Sequence, residues 1–141
     1  MNLVIRSYHE SDKNKVIQLW KECALVVPWN DPERDIIRKQ TVQPKLFLVG
    51  LMNDEIIATA MAGYDGHRGW VYYLAVLPKY QKQKIGRLIM EEAEARLLEL
   101  GCPKLNIMVR STNSEVISFY KSIGYKVEAV TSMGKRLEPD N

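Results

Sequence analysis

Lys79, Lys82, Lys84 and Arg87 crowd around Gly86, directly after the apolar run Tyr72–Leu77 and Pro78. An apolar strand, a basic polar loop and the start of an amphipathic helix thus follow one another without a break. The first turn of a helix leaves backbone N–H groups without partners, and the helix dipole adds partial positive charge there. Such an end takes a phosphate or a pyrophosphate. Neither GxxxxGK[ST] nor GxGxxG occurs, which argues against a nucleoside triphosphate or a Rossmann-bound dinucleotide. The stretch taken alone reads as an anion site.

Other residues have chemistry to offer, and each has a plainer use. Trp29, Asn30 and Asp31 lie between Pro28 and Pro32, where they form either a recognition loop or a rigid connector. Tyr64, Asp65 and His67 lie in or beside the glycine-rich stretch Gly63–Gly69. Asp and Gly are common turn formers, so this loop either binds substrate or shapes a turn. Histidine is the side chain whose ordinary pKa suits a general base at neutral pH. Tyr120 is either a core aromatic or a phenol donor, and Asn113 is a good helix cap that can also bond a ligand. Cys23 and Cys102 stand alone, without CxxC or Cys/His spacing, so neither a disulfide framework nor a metal site is expected. No Ser/His/Asp or Cys/His grouping marks a covalent nucleophile.

These residues need a scaffold, and the chain is long enough for one. Its 141 residues suit a single domain, 1–141, with an ordinary core. The apolar fraction of 46% and charged fraction of 26% are those of a soluble globular protein. A net charge of +3, spread along the chain, fits an anionic ligand and lacks the basic stripe of a nucleic-acid binder. The N-terminus lacks a signal-peptide layout, and no apolar run approaches membrane-spanning length. The expected location is the cytoplasm, with no membrane or nucleic-acid partner. A homodimer is compatible with the residues and is not specified by them.

Periodicity orders the elements. Leu3–Arg6 reads as a strand, and Ser11-Asp12 as the cap of a helix that buries Val16, Ile17, Trp20 and Ala24. Pro32 starts a second short helix through about Thr41. Leu46–Met52 and Ile56–Ala62 form a hairpin across Asn53-Asp54-Glu55, and Trp70–Leu77 is the strand before the basic loop. Ile85, Ile89, Ala93, Leu97 and Leu100 stripe a long helix stopped by Gly101. Leu105, Ile107 and Val109 alternate as a strand, and Val116, Phe119, Tyr120 and Ile123 stripe a last helix before Gly124. Tyr125–Leu137 has room for one or two further strands. The order βααβββαβαβ(β) predicts a mixed α/β fold.

Two separated motifs narrow this further. Gln81-Lys82-Gln83-Lys84-Ile85-Gly86, with the lead-in Val76-Leu77-Pro78-Lys79-Tyr80, resembles the Q/R-x-x-G-x-G/A loop of the GNAT superfamily of N-acetyltransferases. Asn113 to Tyr125 resembles that family's N-x-x-A-x-x-F-Y-x-x-x-G-F segment, with Val116 and Tyr125 as the departures. A third departure is Lys84 in place of the middle loop glycine. Pro28–Pro32 and Gly63–Gly69 are similar to the YpeA-type branch of small bacterial acetyltransferases.

The resemblance implies a GNAT fold: a central mixed, mostly antiparallel sheet with helices on both faces. It also implies acetyl-CoA as co-substrate and direct acetyl transfer to a primary amine of a small molecule or peptide. Gln81, Lys82, Gln83, Lys84, Ile85, Gly86 and Arg87 would cradle the pyrophosphate, with Asn113, Phe119 and Tyr120 also on the cofactor. Leu74, Ala75 and Val76, splayed from Leu105–Val109, would hold the pantetheine arm. The Val76 N–H would polarise the thioester, and Tyr120 would protonate the leaving thiolate. Several relatives carry a glutamate base near the position of Trp70, where this chain has none, so Asp31, Asp65, His67 or a water chain is left for that task. Trp29, Asn30, Asp31, Tyr64, Asp65 and His67 would line the amine pocket. Two rivals remain. One is a non-catalytic acyl-CoA-binding sensor, which Lys84 and the missing base leave open; the other is an RNA-binding module, which lacks the aromatic-rich segment such modules use.

Overall fold

The structure, a computed structural model, describes residues 2–140. Five strands and four α-helices follow in the order β1 (Leu3–Ser7), α1 (Lys13–Glu22), α2 (Pro32–Lys39), β2 (Phe47–Met52), β3 (Glu55–Tyr64), β4 (Gly69–Val76), α3 (Ile85–Glu99), β5 (Leu105–Asn106) and α4 (Ser114–Ser122). The sheet runs β1-β2-β3-β4-β5. Its first three pairings are antiparallel and β4–β5 is parallel. This is the mixed α/β architecture expected.

The sheet separates two cores. One packs Ile57, Ala60, Ala62 and Val71 against Ile85, Ile89, Met90, Ala93 and Leu97 of α3 and Tyr120 of α4. The other packs Phe47, Val49, Met61 and Ala75 against Val16, Leu19 and Trp20 of α1 and Ile36 of α2. Helices therefore cover both faces. β3 is apolar on both sides for this reason, and its residues 56–62 are all buried. Asn53 and Asp54 join β2 to β3 with φ of 50° and 63°. Two successive left-handed residues make the primed turn that suits strand twist, and Asn and Asp tolerate it.

Several local expectations need correction. α1 ends at Glu22, so Ala24 lies beyond it, exposed and left-handed at φ 57°, and Leu19 takes the buried place. Asp12 does not cap α1 with its side chain. Its carboxylate accepts from the His9 N–H at 2.8 Å and binds the Arg6 guanidinium at 2.8 Å. β5 is only two residues long; from Ile107 the chain leaves β4 and the expected strand through Val109 does not continue.

Among the described residues, no strand forms after Tyr125. Val127, Val130, Met133 and Leu137 are all more than 70% exposed, so the segment has no buried face that would reward pairing. Ion pairs hold it instead. Glu128 binds Lys104 and accepts from Asn106 Nδ2 at 2.6 Å. Asp140 accepts from Arg38 at 2.7 Å on α2.

Candidate active site

The basic loop becomes an anion cradle through its backbone. Lys82 and Lys84 adopt φ of 63° and 67°, and Lys84 is the residue before the first turn of α3. Leu88 is the first N–H of this stretch to bond, to the Lys84 carbonyl at 3.0 Å. The N–H groups of Lys82, Gln83, Lys84, Ile85, Gly86 and Arg87 have no acceptor among the described residues. Turns that mix left- and right-handed residues aim successive N–H groups into one concavity, and a helix N-terminus adds its dipole. The left-handed conformation at Lys84 suits the glycine of the motif that this loop resembles: for a residue with a Cβ it costs about 1–2 kcal/mol.

Gly86 joins the two motifs physically. A Cβ there would meet Phe119 Cζ at 3.1 Å and Val76 Cγ2 at 3.8 Å. The start of α3, the end of β4 and α4 thus converge on one point. Gln81 closes the loop onto the strand, its Nε2 donating to the Val76 carbonyl at 2.9 Å. The Cys23 thiol reaches the same carbonyl at 3.4 Å, and burial pushes its pKa up.

β4 carries a bulge that the sequence did not reveal. Thr59 pairs with Ala75 and Met61 with Tyr72, so Tyr73 and Leu74 stand opposite Ala60 alone. Tyr73 sits at φ 54°. Beyond the bulge, Leu77 donates to the Ile57 carbonyl at 2.7 Å. In an antiparallel ladder, bonded and non-bonded pairs alternate. The neighbouring pair, Ala58 and Val76, is therefore the non-bonded kind. The Val76 N–H faces away from β3, toward the gap that opens as β5 departs after Asn106. A splayed pair of strands with a free donor is the expected site for a thioester arm.

Tyr120 lies on α4, 8% exposed, edge-on to Phe119 at 5.2 Å and to Tyr125 at 5.6 Å. Its hydroxyl makes no hydrogen bond among the described residues, and burial pushes its pKa up to about 12. Tyr125 spends its own hydroxyl on Glu94 at 2.6 Å. Asn113 caps α4, its Oδ1 accepting from the Val116 N–H at 3.2 Å, which leaves the amide nitrogen available. A cavity of about 1180 Å³ is lined by Tyr120, Trp70, Ile107, Val109 and Val127, but by none of the basic-loop residues. Its walls run from β5 and the residues after it to the segment that follows Tyr125. The functional geometry follows the backbone donors rather than this void.

The six amine-pocket residues do not come together. Trp29, Asn30 and Asp31 lie at the start of α2, on the side of the bulge. Asp31 caps that helix, accepting from Glu33 and Arg34 at 3.0 and 3.2 Å. Asn30 Oδ1 accepts from Arg136 at 2.7 Å, and Arg110 lies over the Trp29 ring at 5.7 Å. Tyr64, Asp65 and His67 lie at the other end of the hairpin, since Tyr64 pairs with Gly69 while Ala58 pairs with Val76. Six residues of strand at about 3.3 Å each separate the two ends by about 20 Å. Asp65 accepts from the His67 and Arg68 N–H groups at 2.8 Å, and these bonds hold its carboxyl below the usual range. The bulge itself lies opposite Ala60, four residues from Tyr64, so about 13 Å of strand separates it from the loop that carries Asp65 and His67.

The carboxylate nearest the bulge is one the sequence did not single out. Asp35 on α2 accepts from the Tyr73 hydroxyl at 2.5 Å. Burial, then this bond, raises the Tyr73 pKa. No His, Cys, Asp and Glu grouping able to hold a metal occurs among the described residues.

Comparison with known proteins agrees with this geometry. Residues 13–125 match the model of the acetyltransferase (GNAT) family. An acetyltransferase of Yersinia pestis (strain Pestoides F) is 46% identical over 136 residues, covering 96% of each chain. One from Sodalis glossinidius is 45% identical over 137 residues, with the same coverage. The PaiA N-acetyltransferase of Thermoplasma acidophilum, solved with coenzyme A, superposes with a TM-score of 0.78 at 22% identity over 93% of this chain and 94% of that one. Chaetomium thermophilum Naa20, solved with a bisubstrate analogue, gives 0.71 at 26% identity over 88% of this chain and 71% of the other. With both motifs folded into one cradle and the family matched across most of its length, the chain belongs to the GNAT acetyltransferases.

Proposed function

We propose that this acetyl-CoA-dependent N-acetyltransferase works by direct transfer to a primary amine of a small molecule or peptide, in the cytoplasm. The observation that carries the reading is the convergence at Gly86. Six free N–H groups there meet the open edge of β4 and the Phe119-Tyr120 pair. Lys82, Lys84 and Arg87 add charge around the pyrophosphate, with Gln83 and Ile85 contributing N–H groups. The amide of Asn113 and the ring of Phe119 line the same side. Leu74, Ala75 and Val76 border the pantetheine arm.

In the reaction, an ammonium first loses a proton, and its lone pair then attacks the thioester carbon. The Val76 N–H stabilises the oxyanion, a role for which pre-aimed backbone donors are well suited. The C–S bond breaks and the thiolate takes a proton from the Tyr120 hydroxyl, while the nitrogen, now cationic, gives up its second proton to form the amide and that proton returns the phenolate to phenol. Asp35 is the carboxylate best placed to receive the proton of the amine. Trp29, Asn30 and Asp31 border the acceptor on the α2 side, while Tyr64, Asp65 and His67 reach only a long or peptidic acceptor.

Thiol release from acetyl-CoA, measured across amino acids, polyamines and peptides with free N-termini, tests this. Release that requires one class of amine supports the enzyme. Binding of acetyl-CoA without release for any amine supports the acyl-CoA sensor instead.

A further inference from the structure

We propose that Thr59 is a positioning residue for acetyl transfer, whose hydroxyl locks the β4 bulge and so keeps the Val76 N–H free for the thioester carbonyl. The inference rests on the acetyl-transfer reading above. Its starting point is the register. On the hairpin-loop side of the bulge Met61 pairs with Tyr72, and continuing that register would place Val76 opposite Ile57. The Ile57 carbonyl faces β4, because it now accepts from Leu77 at 2.7 Å. Without the bulge that carbonyl would take the Val76 N–H. The extra residue in β4 shifts the ladder by one and releases the donor.

A bulge with a left-handed tyrosine persists only if its surroundings over-determine it. Three contacts converge on Tyr73. Its carbonyl accepts from Thr59 Oγ1 at 2.8 Å. Its ring stacks on Trp20 with centroids 3.8 Å apart, and its hydroxyl bonds Asp35 at 2.5 Å. Thr59 Oγ1 also accepts from Trp20 Nε1 at 2.9 Å. An indole N–H can only donate, so the single hydroxyl proton of Thr59 is committed to the Tyr73 carbonyl. Thr59 is fully buried, where valine has the same shape without the desolvation cost of a hydroxyl. The hydroxyl gives its one proton to the bulge residue Tyr73 and accepts from Trp20, whose ring packs on Tyr73. Neither Thr59 nor Trp20 needs to touch substrate for this role.

Isotope-edited infrared spectroscopy of bound [1-¹³C]acetyl-CoA reads the carbonyl directly and needs no acceptor amine. The wild-type protein is expected to lower the thioester stretching frequency relative to acetyl-CoA in water, and Thr59→Ser to retain that shift. Thr59→Val is expected to return the frequency toward the free value while coenzyme A affinity, measured by calorimetry, is unchanged. Should Thr59→Val not fold, Thr59→Cys presents a weaker donor and is expected to lose part of the shift. A full wild-type shift in the valine variant, or in the cysteine variant if that is the one read, overturns the proposal. So does a wild-type protein that binds acetyl-CoA without any shift. Failure of the wild-type protein to bind acetyl-CoA at all refutes the acetyl-transfer reading instead.

Discussion

The Tyr120 phenol, raised by burial to about 12, stays protonated throughout the neutral range; being a weaker acid than a thiol, it serves a departing thiolate as a hydrogen-bond donor and passes its proton over only as it regains one from the acylated nitrogen. Tyr120→Phe keeps the ring and its edge-on contacts and deletes one unpartnered hydroxyl. A general acid is worth about 10²–10⁴-fold. The variant is expected to fold and bind acetyl-CoA normally with kcat at least about tenfold lower; an unchanged kcat makes Tyr120 packing. Asp35→Asn should impair turnover most at neutral pH, with the deficit shrinking as pH rises and the amine deprotonates unaided. A deficit equal at all pH values limits Asp35 to holding Tyr73. Lys84 occupies a left-handed position, so Lys84→Gly should raise the apo melting temperature by relieving about 1 kcal/mol of strain. The same change should weaken acetyl-CoA binding, more at low salt, if the ammonium grips phosphate. The places of Tyr120 and the loop in the fold were legible because they sit in contiguous motifs. Asp35 was not, because its bond to Tyr73 spans 38 positions and exists only once α2 lies on the sheet.

At the scale of elements, the strand–loop–helix unit of β4 and α3 was readable because apolar runs, Pro78 and the helical stripe punctuate it. The bulge was not, because Tyr73 has ordinary strand chemistry and its left-handed φ is imposed by contacts from α1, α2 and β3. β5 was overestimated for a related reason. Alternation at Leu105, Ile107 and Val109 reports which face is apolar, not whether a neighbour strand is present to pair. Gly86 tests the junction of these elements. Its missing Cβ leaves the room that the Phe119 ring occupies at 3.1 Å. Gly86→Val should force that ring aside and abolish acetyl-CoA binding while the far-UV circular dichroism stays native. Retained affinity would mean that the cradle does not depend on the close approach of α3 and α4.

Across the whole molecule, the C-terminal tail is tied to α2 by charge. Asp140 gathers Arg38 at 2.7 Å, Arg34 at 3.7 Å and Arg136 at 3.8 Å, and the Arg38 bond leads in holding its pKa at about 2. A depressed carboxylate pKa stabilises the folded state above the ordinary value of 3.8, and that contribution is lost as pH falls through about 2. Pepsin cleavage within residues 126–140 is expected to accelerate between those limits before the core unfolds; uniform cleavage along the chain would contradict it. The tail's course was not legible, since strand-like alternation and four exposed apolar residues gave no hint that arginines on α2 would anchor its end. The fold as a whole was legible, because two distant motifs and the element order agree on one topology. The central claim is that the cradle at the start of α3 binds acetyl-CoA. Thermal unfolding with acetyl-CoA measures it most directly, because a ligand at about 100 times its Kd adds about 2.7 kcal/mol to a native state that alone binds it. A concentration-dependent rise of several degrees, absent in Gly86→Val, is the expected result; no rise at millimolar acetyl-CoA would contradict the account.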